Sequence, residues 1–135
     1  VMSNKKKTNY FNDIYGINDN IQELKYKDFK VNKNNIFIKN KDYKTNKSII
    51  IFYAPWCGHC KEIYDDLIEL NKLNLNKFKI GVVNVSDHKN KNYILGDTLG
   101  LKTIPNAYII NKKKLIDFNR PINYDTLFYY INMNI

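Results

Sequence analysis

A chain of 135 residues with 44% hydrophobic and 14% aromatic content can close one core and not two. No apolar run reaches the roughly eighteen residues of a membrane helix, and two cysteines are too few for a disulfide-stapled scaffold. The net charge of +9 invites a nucleic-acid reading, but Arg120 is the only arginine among the 22 basic residues. Base reading favours Arg forks, and single-strand binding interleaves aromatics with a basic groove. No nucleic-acid partner is therefore expected; the charge is assigned to Lys- and Asn-rich coding and to solubility, with a bias toward acidic partners left open.

Residues 1–28 read as an N-terminal extension, disordered over 1–8 and carrying the tail Lys5-Lys6-Lys7. Within it Tyr10, Phe11, Ile14 and Tyr15 fall at i, i+1, i+4 and i+5. That spacing predicts a short helix stopped near Gly16, packed on the fold or offered to a partner. The segment 8–24 lacks an apolar leader core. If Met2, behind Val1, is the native start, no signal peptide is present and a cytoplasmic location is expected; otherwise the compartment is not written in the chain. The ending Asn132-Met133-Asn134-Ile135 is not a retention tetrapeptide.

A single domain is placed at 29–135. Its first strand is either Lys30-Val31 or Ile36-Phe37-Ile38. The continuous apolar run Ile49–Ala54 predicts a central strand buried on both faces. A helix follows from about Gly58 to Leu73, with Ile63, Leu67 and Leu70 on one stripe. Lys79–Val85 reads as a second central strand, Lys89–Gly100 as a weakly patterned helix, and Ala107–Asn111 with Lys114–Phe118 as a hairpin across a Lys-rich turn. Tyr124, Leu127, Phe128 and Ile131, at i, i+3, i+4 and i+7, predict a final helix. The order is β-α-β-α-β-β-α, without repeats or linkers.

The only two cysteines stand in Cys57-Gly58-His59-Cys60, where a strand hands over to a helix. Residues three apart share one face of a helical turn, so the two sulfurs can bond. Unpaired N–H groups and the positive end of the helix dipole favour a thiolate at the first position, and the thiolate is the nucleophile in disulfide exchange. The competing reading, a zinc site, needs four ligands. The chain offers two cysteines with His59 and His88, and His59, wedged between the cysteines, cannot easily share their metal. No metal is expected.

The segment Phe52-Tyr53-Ala54-Pro55-Trp56-Cys57-Gly58-His59-Cys60-Lys61 resembles the active-site segment of the thioredoxin superfamily, and specifically of protein disulfide isomerase domains. Thr103-Ile104-Pro105-Asn106-Ala107 is similar to that family's cis-proline segment. The resemblance covers roughly residues 30–133. It implies an α/β thioredoxin fold, a central mixed β-sheet flanked by helices, here with the N-terminal extension. It further implies a redox-active center whose oxidised form is a Cys57–Cys60 disulfide bond, with no other cofactor. Cys57 is then the nucleophile and Cys60 the resolving thiol, with Gly58 between them. A partly protonated His59 stabilises the thiolate, which makes the disulfide more oxidising. Thioredoxins lie near about −270 mV and protein disulfide isomerases near about −180 mV, and this loop is similar to the second kind. Trp56 offers an apolar platform to substrate polypeptides, and a cis Ile104–Pro105 bond presents the Ile104 backbone to an extended peptide.

The chain departs from that family in several places. The buried carboxylate usually found six residues before the first cysteine is Ile51 here, and its Lys partner on the neighbouring strand aligns with Val82. A lone buried charge is costly while two aliphatics pack, so Cys60 is expected to resolve slowly. The helix-kinking proline is Asp65, which predicts a straighter helix. Arg120 lies about two residues out of register with the Arg that can swing toward the resolving cysteine.

The leading expectation is an oxidoreductase of oxidase or isomerase character, exchanging disulfides with protein or peptide thiols and recycled by a redox partner. A thioredoxin-like reductase, a redox-silent polypeptide-binding module using Trp56 and Ile104, and a basic interaction protein are the alternatives. His59 in place of proline speaks against the first, retention of both cysteines against the second, and the lack of Arg and aromatic patterning against the third.

Overall fold

The apolar run ahead of the cysteines is the axis of the molecule. The computed structural model describes residues 21–45, 47–73 and 78–133, so the predicted disorder at 1–8 and the predicted helix at Tyr10–Gly16 lie outside the described residues. Strand β4 (Lys47–Tyr53) is buried at every position from Ser48 onward. Its side chains alternate between two cores: Ile49, Ile51 and Tyr53 enter one, Ile50 and Phe52 the other. Each fully buried side chain of this kind contributes about 1.5–3 kcal/mol.

β4 pairs in parallel with β5 (Phe78–Asn84) and antiparallel with β6 (Asn106–Asn111), and β6 turns at Lys112-Lys113 into β7 (Lys114–Asp117). The sheet continues on both sides. β1 (Ile21–Glu23) pairs in parallel with β5, and a hairpin of β2 (Phe29–Asn32) and β3 (Asn35–Ile38) joins the far edge through β7. The seven strands run β1-β5-β4-β6-β7-β3-β2.

This corrects the start of the domain. The two alternatives for a first strand, Lys30-Val31 and Ile36-Phe37-Ile38, are both strands and neither is first. Ile21–Glu23, inside the segment set apart as an extension, is a member of the sheet, with Ile21 and Leu24 buried. The element order therefore gains a strand and a hairpin ahead of β4.

Helix α1 (Asp42–Thr45) is a single turn before β4, and α2 (Gly58–Asn71) follows it. Cys60, Ile63, Leu67 and Leu70 form the buried stripe of α2, and α4 (Tyr124–Asn132) packs Leu127 and Ile131 into the same core. Phe128, predicted with that stripe, is exposed and stacks on Tyr124 with ring centroids 5.6 Å apart. On the opposite face Leu95 of α3 (Tyr93–Leu99) meets Phe29, Ile36, Ile38 and Tyr43. The helix predicted from Lys89 begins four residues later. Lys91 has φ 64°, and the Asp87 carboxylate accepts from Asn90 N at 2.9 Å, which closes a turn in place of a helical one. No helix among the described residues is long and apolar enough to cross a membrane.

Candidate active site

Chain direction sets the site. β4 ends at Tyr53, Ala54 closes the core, and the Cys57 N–H donates to the Ala54 carbonyl at 3.1 Å, which turns the backbone into α2. Cys57 is the N-cap residue of α2, in extended conformation. There the first-turn N–H groups have no intrahelical partner, an environment suited to an anion. Cys57 is half-buried, whereas Cys60, one turn in, is 1% exposed, and both thiols are free.

The Cys57 thiol donates to the Ile104 carbonyl at 3.6 Å, and the Ile104–Pro105 bond is cis. The segment ahead of β6 thus lies directly against the sulfur. Burial pushes the Cys60 thiol up to about 12, helped by its hydrogen bond with Cys57 and opposed by a backbone hydrogen bond at Ala54. Cys60 belongs to the same apolar cluster as Ile51, Ile63, Val82 and Ala107. Ile51 and Val82 are register partners and both have no solvent exposure.

Trp56 is 67% exposed, beside the cysteines. His59 is turned to solvent, its Nδ1 3.8 Å from the Glu62 carboxylate. Arg120 is also exposed, with its guanidinium 5.9 Å over the Tyr129 ring. Two concavities flank the Ile104–Pro105 bond. One, of about 400 Å³, is lined by His59, Glu62, Asp66, Pro105, Arg120 and Asn123 among others. The other, of about 260 Å³, lies between Val85, Tyr93, Leu101 and Ile104. Asp66 accepts from Tyr124 N at 3.0 Å, pinning α4 to α2, and burial raises its carboxyl above the usual range.

Glu62, Asp66 and Tyr93 were not singled out from the sequence. A signal existed for the first two: with His59 they stand at i, i+3 and i+7, one face of α2. Nothing local marks Tyr93, which reaches the site through the packing of α3.

A buried thiol one turn behind a half-exposed thiol at a helix start, facing a cis X-Pro carbonyl, on a mixed sheet with helices on both faces, defines a dithiol protein of the thioredoxin fold. The Thioredoxin family model matches residues 27–132, and the chain belongs to that family. Its relatives include protein disulfide-isomerase A6 of Homo sapiens, 27% identical over 116 residues, covering 84% of this chain and 22% of that protein. Protein disulfide-isomerase MPD1 of Saccharomyces cerevisiae is 28% identical, covering 82% and 31%. A stretch of probable protein disulfide-isomerase A4 of Caenorhabditis elegans is 34% identical over 76 residues, 54% of this chain and 12% of that protein. The chain thus spans less than a third of the length of these relatives. Among solved structures, the J-Trx1 fragment of ERdj5 superposes with a TM-score of 0.59 at 19% identity, covering 80% of this chain and 48% of that one. The first thioredoxin domain of mouse protein disulfide-isomerase A4 gives 0.56 at 16% identity, covering 78% of each. The fold is that of a thioredoxin domain similar to those of protein disulfide-isomerases, a family of thiol–disulfide oxidoreductases.

Proposed function

We propose that the chain is a thiol–disulfide oxidoreductase of oxidase or isomerase character that exchanges disulfides with protein substrates through Cys57 and Cys60. The observation that carries this reading is the placement of the two sulfurs: Cys57 half-exposed at the start of α2 with the Ile104 carbonyl 3.6 Å away, Cys60 enclosed one turn behind it.

In the oxidising direction a substrate thiolate attacks the Cys57 sulfur of the Cys57–Cys60 disulfide. The Cys57–Cys60 bond breaks, a substrate–Cys57 bond forms, and Cys60 leaves as a thiolate that takes a proton. A second substrate thiolate attacks the substrate sulfur and expels Cys57. Two electrons pass from the substrate dithiol to the protein and its two protons are released or retained on the new thiols. A redox partner then reoxidises the dithiol. In isomerisation Cys57 enters a wrong disulfide, the freed substrate thiolate attacks elsewhere, and no net electrons move. The Ile104 backbone and the exposed Trp56 ring support an extended substrate across the sulfur. His59 tunes the stability of the thiolate from the solvent side.

The test is the reduction potential of the Cys57–Cys60 pair in glutathione buffers, read by trapping free thiols, together with reactivation of a scrambled disulfide protein. A potential near about −180 mV with reactivation is expected. A value at or below about −270 mV would make the chain a reductase, and a Cys57→Ser variant as active as the parent would remove the proposal altogether.

A further inference from the structure

A third concavity lies away from the cysteines, where the β2–β3 hairpin meets the β6–β7 turn. It measures about 400 Å³ and is lined by Lys30, Asn32, Phe37, Ile38, Lys39 and Lys113. Three ammonium groups surround a floor made by Phe37 and Ile38, and no carboxylate is in the lining. Among the described residues none of these three lysines is ion-paired with a carboxylate. β2 is the last strand of the sheet among the described residues, leaving one row of its N–H and C=O groups without a strand partner.

Lysine on an edge strand ordinarily blocks pairing with another chain. That accounts for Lys30 and for neither of the others. Lys39 follows β3, and Lys113 belongs to a turn in which both central residues are left-handed, Lys112 at φ 52° and Lys113 at φ 72°. Asn-Gly is the ordinary choice for such a turn, and a side chain in that conformation costs about 1–2 kcal/mol per residue. The turn geometry thus gives no reason for lysine there. The Lys113 carbonyl accepts from Ile38 N at 2.8 Å, which locks the turn against β3 and fixes where the Lys113 side chain leaves the backbone.

We propose that this cleft docks an acidic polypeptide segment, which lies across Phe37 and Ile38 and places carboxylates against Lys30, Lys39 and Lys113. The paired charges supply the selectivity, and apolar side chains of the segment cover the Phe37 ring. The same lysines repel a second copy of this basic chain, so an acidic partner is admitted where self-pairing is not. Nucleic acid fits the cleft less well. Phe37 is its one aromatic and is half-buried, and Arg120, the only arginine, lines the first concavity with His59 and Pro105. The site stands independently of the redox reading, because it contains neither cysteine.

The test is fluorescence anisotropy of the full chain with a labelled ten-residue peptide of alternating Glu and Val. Binding that weakens steeply with salt is expected. The K30E/K39E/K113E variant should lose at least tenfold in affinity, while K72E/K89E/K102E, with the same change in net charge, should lose less than threefold. Equal losses in the two triple variants, or oligothymidylate binding as tightly as the Glu-Val peptide, would each overturn the proposal. Circular dichroism of both variants separates a lost site from a lost fold.

Discussion

Ile51 and Val82 stand opposite each other across β4 and β5, both out of reach of solvent, in the same apolar cluster as Cys60. The Cys60 thiol is 1% exposed in this apolar cluster, and its value, raised to about 12, follows first from that burial. Among the described residues no carboxylate is buried, so no buried base is at hand to take its proton.

Release of substrate from the Cys57 mixed disulfide is expected to be limited by ionisation of Cys60. The thiolate becomes populated only as pH climbs toward its raised value, so the release rate should increase with pH. Single-turnover release of a labelled peptide should quicken about tenfold per pH unit between pH 7 and 10, without a plateau. Ile51→Glu should raise release at pH 7 at least tenfold by installing a base, whereas Ile51→Gln should not. A flat pH profile, or a Glu variant no faster than the Gln variant, contradicts this account.

His59 is open to solvent, with the Glu62 carboxylate 3.8 Å from its Nδ1. Its influence on the sulfur is therefore partly screened, and tuning should be real but moderate. His59→Ala is expected to make the couple more reducing by about 30 mV, a tenfold change in the exchange equilibrium with glutathione. The shift should shrink in high salt. An unchanged potential at low salt would remove His59 from the tuning of the pair.

Much of the site was legible because its signals are local. The run Ile49–Ala54 forecast a strand buried on both faces, and the Cys-x-x-Cys at its end fell where a helix starts. The register of Ile51 with Val82 is the pairing that alignment had suggested. What escaped is non-local. Ile21–Glu23 is three residues long and only Ile21 among them is buried; it is a strand because β5 offers it an edge. The hairpin 29–38 presented two short apolar stretches, and choosing between them failed because both are used, at the far edge of the sheet. The helix near Lys89 was overextended because its polar residues close a turn around Asp87.

Asn92 is a further case of non-local order. It is fully buried, its side-chain carbonyl accepts from Tyr26 N at 2.8 Å, and its amide donates to the Asn84 carbonyl at 3.1 Å. One side chain thus joins the segment after β1 to the end of β5. Asn92→Ala leaves two backbone groups without partners, and unsatisfied buried groups cost about 1–3 kcal/mol each. An unfolding free energy lower by about 2–6 kcal/mol in urea denaturation is expected, with the Cys57–Cys60 potential unchanged. A loss below about 0.5 kcal/mol would mean that water replaces both bonds.

Gly81 sits in β5 between Gln22 of β1 and Ile50 of β4. A Cβ built there overlaps the Leu24 side chain and comes within 3.0 Å of Ile50 Cδ1. Leu24 cannot simply withdraw, since its N–H donates to the Val82 carbonyl at 2.9 Å and its side chain is buried. Gly81→Ala should therefore destabilise by about 1–3 kcal/mol, the usual cost of overpacking. Leu24→Ala should cost about 2–5 kcal/mol by leaving a cavity. In the double variant the new methyl occupies part of the space that Leu24 gives up, so the combined loss should fall short of the sum by at least about 1 kcal/mol. Chemical denaturation of the four proteins measures this coupling directly, and strict additivity would show that the two positions do not share the space.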